Sequence, residues 1–453
     1  MKTIVAGKSN FCRLLGKQRL KNDVLFRRMK YLLQTDCEDG VLLLNVITGK
    51  LVLLDEAEQN ILNNLPLYRN ELMTDLIEGY FLVPNNFEEK EIVDKLRSIF
   101  VKTTGSKGIN GYTILTTTNC NARCFYCYQA DYAHINMSKE TASQLVSYMI
   151  ANKGEGDLSL AWFGGEPLVG IKRINQICEE LSAQGISFVS SMISNGYLFD
   201  EDIIERAISK WKLNTVQISL DGTEEVYNKA KAFVGTADNP YKRVMNNIAL
   251  LARNGIRVGV RLNLGSHNCD DLRRLIYELK KMSECHGNIG VYVHTLFEGE
   301  GYIPTRMDAE TRNELYQTLT KLNNEIIDLG LNKHYYDLPA LRTHSCMADD
   351  KSSVVVYPDG KLFQCEHTAV GDEFGDIYKG IKNVNNYNKF FTPAVREECD
   401  NCPLYPSCII LKECEGLSDR NPIVCGFEVS AMTKSLTYNH RRDKGRLKSE
   451  IPL

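Results

Sequence analysis

The sequence predicts an α/β fold with a parallel sheet, preceded by a small mixed unit and followed by a cysteine-rich region. Three observations predict it. From Tyr112 onward, six strand-like runs alternate with amphipathic helical stretches. Residues 29–101 follow a different rhythm, a hairpin and then short helices. Ten of the fifteen cysteines fall into two groups, Cys120–Cys127 and Cys346–Cys425.

Within residues 1–105, YLLQTD, GVLLLNV and KLVLLD read as strands broken by the turn signals EDG and ITG. Asp55 caps an amphipathic helix through Leu62, and a second helix covers 71–78. YFLV returns as a strand, and Asn86 opens a helix to Phe100. A hairpin with three short helices makes a winged-helix-like unit, and KTTGSKGING after it reads as the linker. DNA binding suits it poorly, because the helix DEAEQNILNN is acidic.

The six later strands are YTILTTT, LSLAWFGG, SFVSSMISNG, TVQISLDG, RVGVRLNLG and IGVYVHTLF, with helices at 138–152, 241–254 and 270–282 among those between them. Six βα repeats imply a parallel sheet, either doubly wound or curled into a partial barrel. The first four strands end in CNARCFYC, GGEP (Gly164–Pro167), SNG (Ser194–Gly196) and SLDG (Ser219–Gly222). The fifth carries Arg261 and Asn263. Parallel sheets place ligands at the carboxyl ends of their strands, so these distant segments converge on one mouth.

Composition narrows the function. At 453 residues, 43% hydrophobic and 25% charged, the chain is long enough for two to three globular domains. A net charge of −3 supplies no basic field, so neither nucleic acid nor an anionic membrane is expected as a partner. The basic cluster HRRDKGRLKSE reads as a solvated tail, residues 441–453. No apolar run approaches the roughly 18 residues that cross a bilayer, and the N-terminus lacks the features of a signal peptide. The expected location is cytoplasmic, where clustered cysteines point to metal rather than disulfides. The scattered Cys12, Cys37, Cys178, Cys269 and Cys285 are expected as small buried or half-buried apolar residues.

Cys120, Cys124 and Cys127 are spaced CxxxCxxC, and thiolates suit zinc or iron-sulfur clusters. A structural zinc needs a fourth ligand, and His134 or Asp131 would break the usual knuckle geometry. A three-cysteine 4Fe-4S cluster instead leaves one iron for an exogenous chelator. CxxxCxxC after a first barrel strand, with GGEP after the second, resembles the radical S-adenosylmethionine family over residues 110–300. The resemblance implies a partial (β/α)6 TIM-like barrel, residues 106–310, with S-adenosyl-L-methionine chelating the unique iron. It also implies reductive cleavage to methionine and a 5′-deoxyadenosyl radical that takes hydrogen from an unactivated carbon, fed by an electron donor such as flavodoxin or ferredoxin. By the same resemblance Tyr126 lies near the adenine, Gly164 and Gly165 allow close backbone approach, and Glu166 turns the chain so that carbonyls meet the amino group. Ser194, Asn195 and Ser219 would bind ribose and carboxylate. Arg261 is a candidate carboxylate partner or a structural ion pair. Where the family commonly has His-Asp after SLDG, this chain has Tyr227 and Asn228.

The second cysteine group reads Cys346, a PDG turn with Gly360, Cys365, then Cys399, Cys402, Cys408, Cys414 and Cys425. The CxxC at 399–402 taken alone favours zinc knuckles. The full order resembles the SPASM domain, which holds two auxiliary 4Fe-4S clusters, here in residues 346–440 behind a helical bridge at 311–345. That resemblance assigns Cys346, Cys365 and Cys414 to the first cluster and Cys399, Cys402, Cys408 and Cys425 to the second. The first set is one ligand short. Asp349 or Asp350 supplies oxygen, or the site stays open for a substrate thiolate.

SPASM-type enzymes act on peptides or proteins, and the front unit resembles the leader-recognition element of maturases of ribosomally made peptides. Such elements bind by adding a strand to an exposed hairpin edge. The expected function is a radical S-adenosylmethionine oxidoreductase that installs a thioether or carbon-carbon cross-link in a precursor peptide bearing a leader segment. Two alternatives stand beside it. One is a sulfatase-type maturase forming formylglycine, where Glu366, directly after Cys365, would replace the family's aspartate as general base. The other is a non-catalytic zinc-binding protein.

Overall fold

The computed structural model describes residues 1–7, 23–104, 107–236, 238–266, 268–296, 309–332, 337–367, 371–391, 397–409 and 422–444. Cys12, Cys414 and the side chain of Cys425 lie outside them.

The front unit holds β1 (Lys2–Val5), β2 (Leu25–Arg28), β3 (Leu32–Cys37), β4 (Gly40–Asn45) and β5 (Lys50–Leu54). The sheet order β1-β5-β4-β3 lays the N-terminal strand along one edge of the expected hairpin, and β3 is paired on one side only among the described residues. β2 joins β6 (Leu67–Tyr68) and β7 (Leu82–Pro84) in a second small sheet. Asp55 starts α1 (Glu56–Asn63) with a capping box: it accepts the Glu58 N–H at 2.9 Å while its own N–H donates to the Glu58 carboxylate at 3.0 Å. The second helix begins as a 3-10 turn at Glu71–Met73 and continues as α2 (Thr74–Glu78). The third, α3 (Glu89–Thr103), starts three residues later than Asn86. The buried Glu89 carboxylate anchors that end to Arg27, at 2.6 and 2.9 Å, and to the Lys30 N–H at 3.1 Å.

Six parallel strands follow in chain order: β8 (Gly111–Leu115), β9 (Leu158–Phe163), β10 (Phe188–Ser194), β11 (Leu213–Leu220), β12 (Arg257–Leu264) and β13 (Ile289–Thr295). Between them lie α4 (Lys139–Asn152), α5 (Ile171–Ala183), α6 (Glu201–Ser209), α7 (Glu224–Lys231), α8 (Pro240–Arg253) and α9 (Cys269–His286). Ser138, Asp200 and Asn239 each accept a first-turn N–H, of Thr141, Ile203 and Lys242, satisfying donors the helix leaves unpaired. The core between sheet and helices contains Trp162 and Trp211, both fully buried, and the Trp211 indole donates to Asn175 at 2.7 Å. Truncating a tryptophan so placed costs about 3–5 kcal/mol.

After α10 (Ala309–Asp328), which packs on β13, the chain returns as β14 (Ser353–Val356), parallel against β8. β15 (Lys361–Phe363), β16 (Gly375–Asp376) and β17 (Gly380–Ile381) extend the same sheet in antiparallel fashion to ten strands. The change of sequence pattern at 346 therefore does not coincide with a break in the sheet. Helix α11 (Pro422–Asp443) then packs back on the front unit. Leu341, Leu404, Tyr405 and Leu436 enter the front core. Asp39 accepts from His440 Nε2 at 2.7 Å and pairs with Lys444, and Lys2 pairs with Asp443 at 2.8 Å. The start of the expected solvated tail is thus docked by charge.

Of the scattered cysteines, Cys178 is buried and Cys37 and Cys269 are half-buried, whereas Cys285 is exposed. It sits in the last turn of α9, whose buried face is already supplied by Leu272, Leu275, Ile276 and Leu279. Cys37, Asp39 and His440 cluster closely enough to consider a metal ion. The Asp39 carboxylate, however, already carries the Lys444 ammonium and the His440 N–H, so the cluster acts as an ion-pair clamp between hairpin turn and helix.

Candidate active site

The carboxyl ends of β8 to β12 meet at one mouth, and two buried side chains organise it. The first is Glu166. Its carboxylate accepts from Leu168 N–H at 3.2 Å, Ser194 Oγ at 2.9 Å and Asn195 N–H at 2.8 Å. It therefore ties the end of β9 to the end of β10. The glycines before it serve the same loop cluster. A Cβ on Gly164 would fall 2.2 Å from the Thr117 carbonyl oxygen, and one on Gly165 would fall 2.3 Å from that of Asn119. Gly165 N–H donates to Thr117 at 3.1 Å and Glu166 N–H to Asn119 at 2.9 Å. The close approach permitted by these glycines is to the chain's own cysteine loop.

The second organiser is Lys231, at the end of α7. Its buried ammonium donates to Tyr126 Oη at 2.8 Å and Ser219 Oγ at 2.7 Å, and pairs with Asp221 at 3.3 Å. Asn263 completes the group, donating to Tyr126 Oη at 3.1 Å and Asp221 at 2.9 Å. Burial holds the Tyr126 phenol protonated, well above its ordinary pKa. Arg123 N–H donates to the Lys231 carbonyl at 2.9 Å, and Val234 N–H to that of Asn121 at 2.9 Å, so the cysteine loop is pinned from this side too.

Ser194 and Asn195 thus gather on Glu166, and Tyr126 and Ser219 on Lys231, each already bonded within the protein. The Asn195 amide donates to Asn121 Oδ1 at 2.7 Å and reaches Cys120 Sγ at 3.9 Å. Tyr227, where a polar histidine was the family pattern, is fully buried among aromatic rings, and Asn228 accepts the Tyr241 N–H at 3.1 Å. Sequence reasoning missed Lys231. Its one signal was a basic residue in NKAKAF following the acidic SLDG turn.

The three thiols fit a metal cluster. Cys120 Sγ accepts the Ala122 N–H at 3.4 Å, and the Asn121 Nδ2 is enclosed without an acceptor among the described residues. Burial pushes the Cys120 thiol up to about 11 and also raises that of Cys124, which the nearby Lys231 ammonium lowers in part. A cation bound by such sulfurs would favour their thiolates.

The second cysteine group lies in two places. Cys365 is beside the mouth. The Glu366 carbonyl accepts the Tyr128 hydroxyl at 3.5 Å, the Tyr128 ring lies 4.5 Å from that of His367, and the Glu366 carboxylate is 3.9 Å from His367 Nε2. Across from them Arg261 Nη2 is 3.1 Å from His294 Nδ1, and burial, aided by Arg261, pushes His294 down to about 4. Arg261 therefore contacts a neutral imidazole. Near Cys346, the Asp349 carboxylate accepts the N–H groups of Ser345 and Cys346 at 2.8–3.0 Å, and Asp350 accepts from Ser352. Both aspartates shape their own loop. Cys399, Cys402 and Cys408 share a turn-rich loop packed on the front core.

With this geometry in place, the comparisons are consistent. Residues 114–279 match the family described as the Radical SAM superfamily, and this part of the chain is a radical SAM domain. The cofactors of such a domain are a 4Fe-4S cluster and S-adenosylmethionine. The chain is 23% identical over 325 residues to the cysteine-type anaerobic sulfatase-maturating enzyme of Clostridium novyi (strain NT), covering 64% of this chain and 84% of the relative. It is 25% identical over 288 residues to the GTP 3′,8-cyclase of Clostridium perfringens (strain 13 / Type A), covering 58% and 82%. Its fold is similar to that of anSMEcpe with bound AdoMet, with a TM-score of 0.57 and 16% identity over 75% of this chain and 96% of that one. It is also similar to that of Streptococcus suis SuiB bound to S-adenosylmethionine, with a TM-score of 0.51 and 16% identity over 84% and 94%. No helix among the described residues is long and apolar enough to cross a membrane.

Glu166 makes a testable pH signature. Burial pushes its carboxyl from 4.5 up to about 7, against the three donors that favour the anion. The folded chain therefore binds this proton more tightly than the unfolded chain, so stability is greatest below pH 4.5 and falls as pH rises through 7. From pH 6 to pH 8 this group is expected to remove about 1 kcal/mol. Urea midpoints measured anaerobically at the two pH values should show that loss in the wild type and not in Glu166→Gln; equal slopes would rule out a carboxyl that titrates near neutrality.

Proposed function

We propose that the protein is a peptide maturase that forms a thioether or carbon-carbon cross-link in a precursor peptide, with a flavodoxin- or ferredoxin-type electron donor. The observation that carries this reading is the contact of Tyr128 with Glu366 and His367, which sets the Cys365 segment directly against the loop of Cys120, Cys124 and Cys127. The bound cluster and S-adenosylmethionine would supply hydrogen removal from a carbon. Cys120, Cys124 and Cys127 hold that cluster, Glu166 and the two glycines fix its loop, and Tyr126, Lys231, Ser219 and Asn263 form the adjoining polar wall. Ser194 and Asn195 face the cosubstrate through the same turn. Cys346, Cys365 and Cys414 form a first auxiliary set with one open position, suited to a substrate thiolate. Cys399, Cys402, Cys408 and Cys425 form a second. Glu366 accepts the substrate proton beside His367.

A peptide substrate is also supported by anSMEcpe, whose structure with AdoMet and the Cp18Cys peptide is similar at a TM-score of 0.54 and 17% identity. Mass spectrometry of a precursor peptide encoded beside this protein tests the reaction. Loss of two hydrogen atoms with retention of sulfur is expected. Conversion of a cysteine or serine to an aldehyde would instead favour the sulfatase-type reading, which the Clostridium novyi relative keeps in play.

Leader recognition needs its own test. Deleting residues 1–105 is uninformative, since Leu404, Tyr405 and Leu436 complete the front core and would be left exposed. Strand addition at the edge of β3 is expected to slow amide hydrogen exchange at Leu32–Cys37 when the leader peptide is added. Unchanged exchange there would remove β3 as the docking edge.

A further inference from the structure

The front unit is joined to the second auxiliary cysteine set by one buried arginine. Arg97, on α3, is 6% exposed and reaches out of its own unit entirely. Its Nη2 donates to the carbonyl oxygens of Tyr405 at 2.6 Å, Pro406 at 3.1 Å and Cys408 at 2.9 Å, and its Nε to that of Arg342 at 3.3 Å. The Tyr405 ring covers the guanidinium at 4.8 Å and stacks on Tyr31 at 5.7 Å. Its hydroxyl donates to Asp94, one helical turn before Arg97, and Lys90 pairs with Asp94 at 2.7 Å.

These contacts act on the cysteines through the backbone. The Cys408 N–H donates to Leu404 at 2.9 Å while its carbonyl faces Arg97, so the peptide groups on both sides of its Cα are fixed and with them the direction in which the side chain leaves. Cys402 is held in the same way, its N–H on the Cys399 carbonyl at 3.2 Å and its own carbonyl on the Tyr405 N–H at 3.0 Å. Cys399 and Cys402 both pack against the front core. A guanidinium suits this task because its planar fork serves several carbonyls at once, where an ammonium presents a point charge.

We propose that Arg97 is a positioning residue for the Cys399–Cys408 loop, so that the front unit forms part of the second auxiliary centre and is not merely a tethered recognition module. This rests on the assignment of Cys399, Cys402, Cys408 and Cys425 as cluster ligands. A cluster assembles there only while α3 holds the loop.

The test uses full-length protein, reconstituted anaerobically, in a Cys120→Ala, Cys124→Ala, Cys127→Ala background, so that only auxiliary iron is counted. Iron and sulfide per chain and the Mössbauer and EPR spectra are read in Arg97→Met, Arg97→Lys and a control, Arg27→Met, which breaks the Arg27–Glu89 pair in the same unit without touching the loop. About eight irons are expected in the background and in the control, about four in Arg97→Met, and an intermediate count in Arg97→Lys. About eight irons with unchanged spectra in Arg97→Met would overturn the proposal. So would an equal loss in Arg27→Met, since the effect would then be general weakening of the front unit. A background protein that holds no iron would overturn the ligand assignment itself, and the proposal with it.

Discussion

Replacing Cys120, Cys124 and Cys127 together by alanine is expected to abolish cleavage of S-adenosylmethionine and to lower iron by about four per chain, leaving the auxiliary iron in place. The fold should survive the change, because the loop is held by its backbone and not by its sulfurs. Thr117 and Asn119 are bonded to Gly165 and Glu166, Arg123 to Lys231, Val234 to Asn121, and Cys127 N–H to the Cys124 carbonyl at 3.1 Å. The triple variant should therefore unfold at nearly the wild-type apo-protein midpoint. Production of 5′-deoxyadenosine under reducing conditions is the decisive readout. Its persistence in the variant would show that the cluster sits elsewhere.

Lys231→Met is expected to destabilise the protein by about 3–5 kcal/mol, the cost of leaving a buried charge without its partner. The charge left behind is Asp221, 1% exposed, which would lose its cationic partner and keep the Asn263 amide at 2.9 Å. Tyr126 and Ser219 would each lose a charged donor as well, and these losses are not additive with the first. Burial pulls the Lys231 ammonium toward neutrality, but the Asp221 carboxylate and the neighbouring Cys124 outweigh it and hold the pKa above the ordinary 10.5. Its contribution is therefore fully present at neutral pH and is lost only above that value. The double variant Lys231→Met, Asp221→Asn should recover much of the loss, because neither partner is then left charged. Anaerobic urea midpoints of wild type, both single variants and the double variant give the coupling directly. A loss below about 1 kcal/mol in Lys231→Met would mean the pair is solvated and does not organise the mouth.

Local signals were legible wherever one segment decides its own conformation. Asp55 with Glu58, Ser138, Asp200 and Asn239 mark helix starts because their side chains bond N–H groups within a few residues. The six strands read correctly because each is a short apolar run bounded by turn residues. Asn86 misled because Glu89, three residues on, finds its partners in Arg27 and Lys30, some sixty positions earlier. Gly164 and Gly165 announce that something passes close without saying what: in the fold it is the backbone at Thr117 and Asn119.

The sequence by itself determined the α/β fold, the grouping of the cysteines and the convergence of four strand ends, since periodicity and spacing are properties of the chain alone. Only the tertiary structure decided that Lys231 and Glu166 organise the mouth, that β14 to β17 extend the barrel sheet, and that Arg97 joins the front unit to the Cys399–Cys408 loop. For the three charged groups the physical reason is the same: a buried charge is tolerated where separate segments bring it partners, as Tyr126 comes to Lys231, Asn195 to Glu166 and the Tyr405 and Cys408 carbonyls to Arg97. The pairing of β14 with β8 joins segments just as distant in the chain.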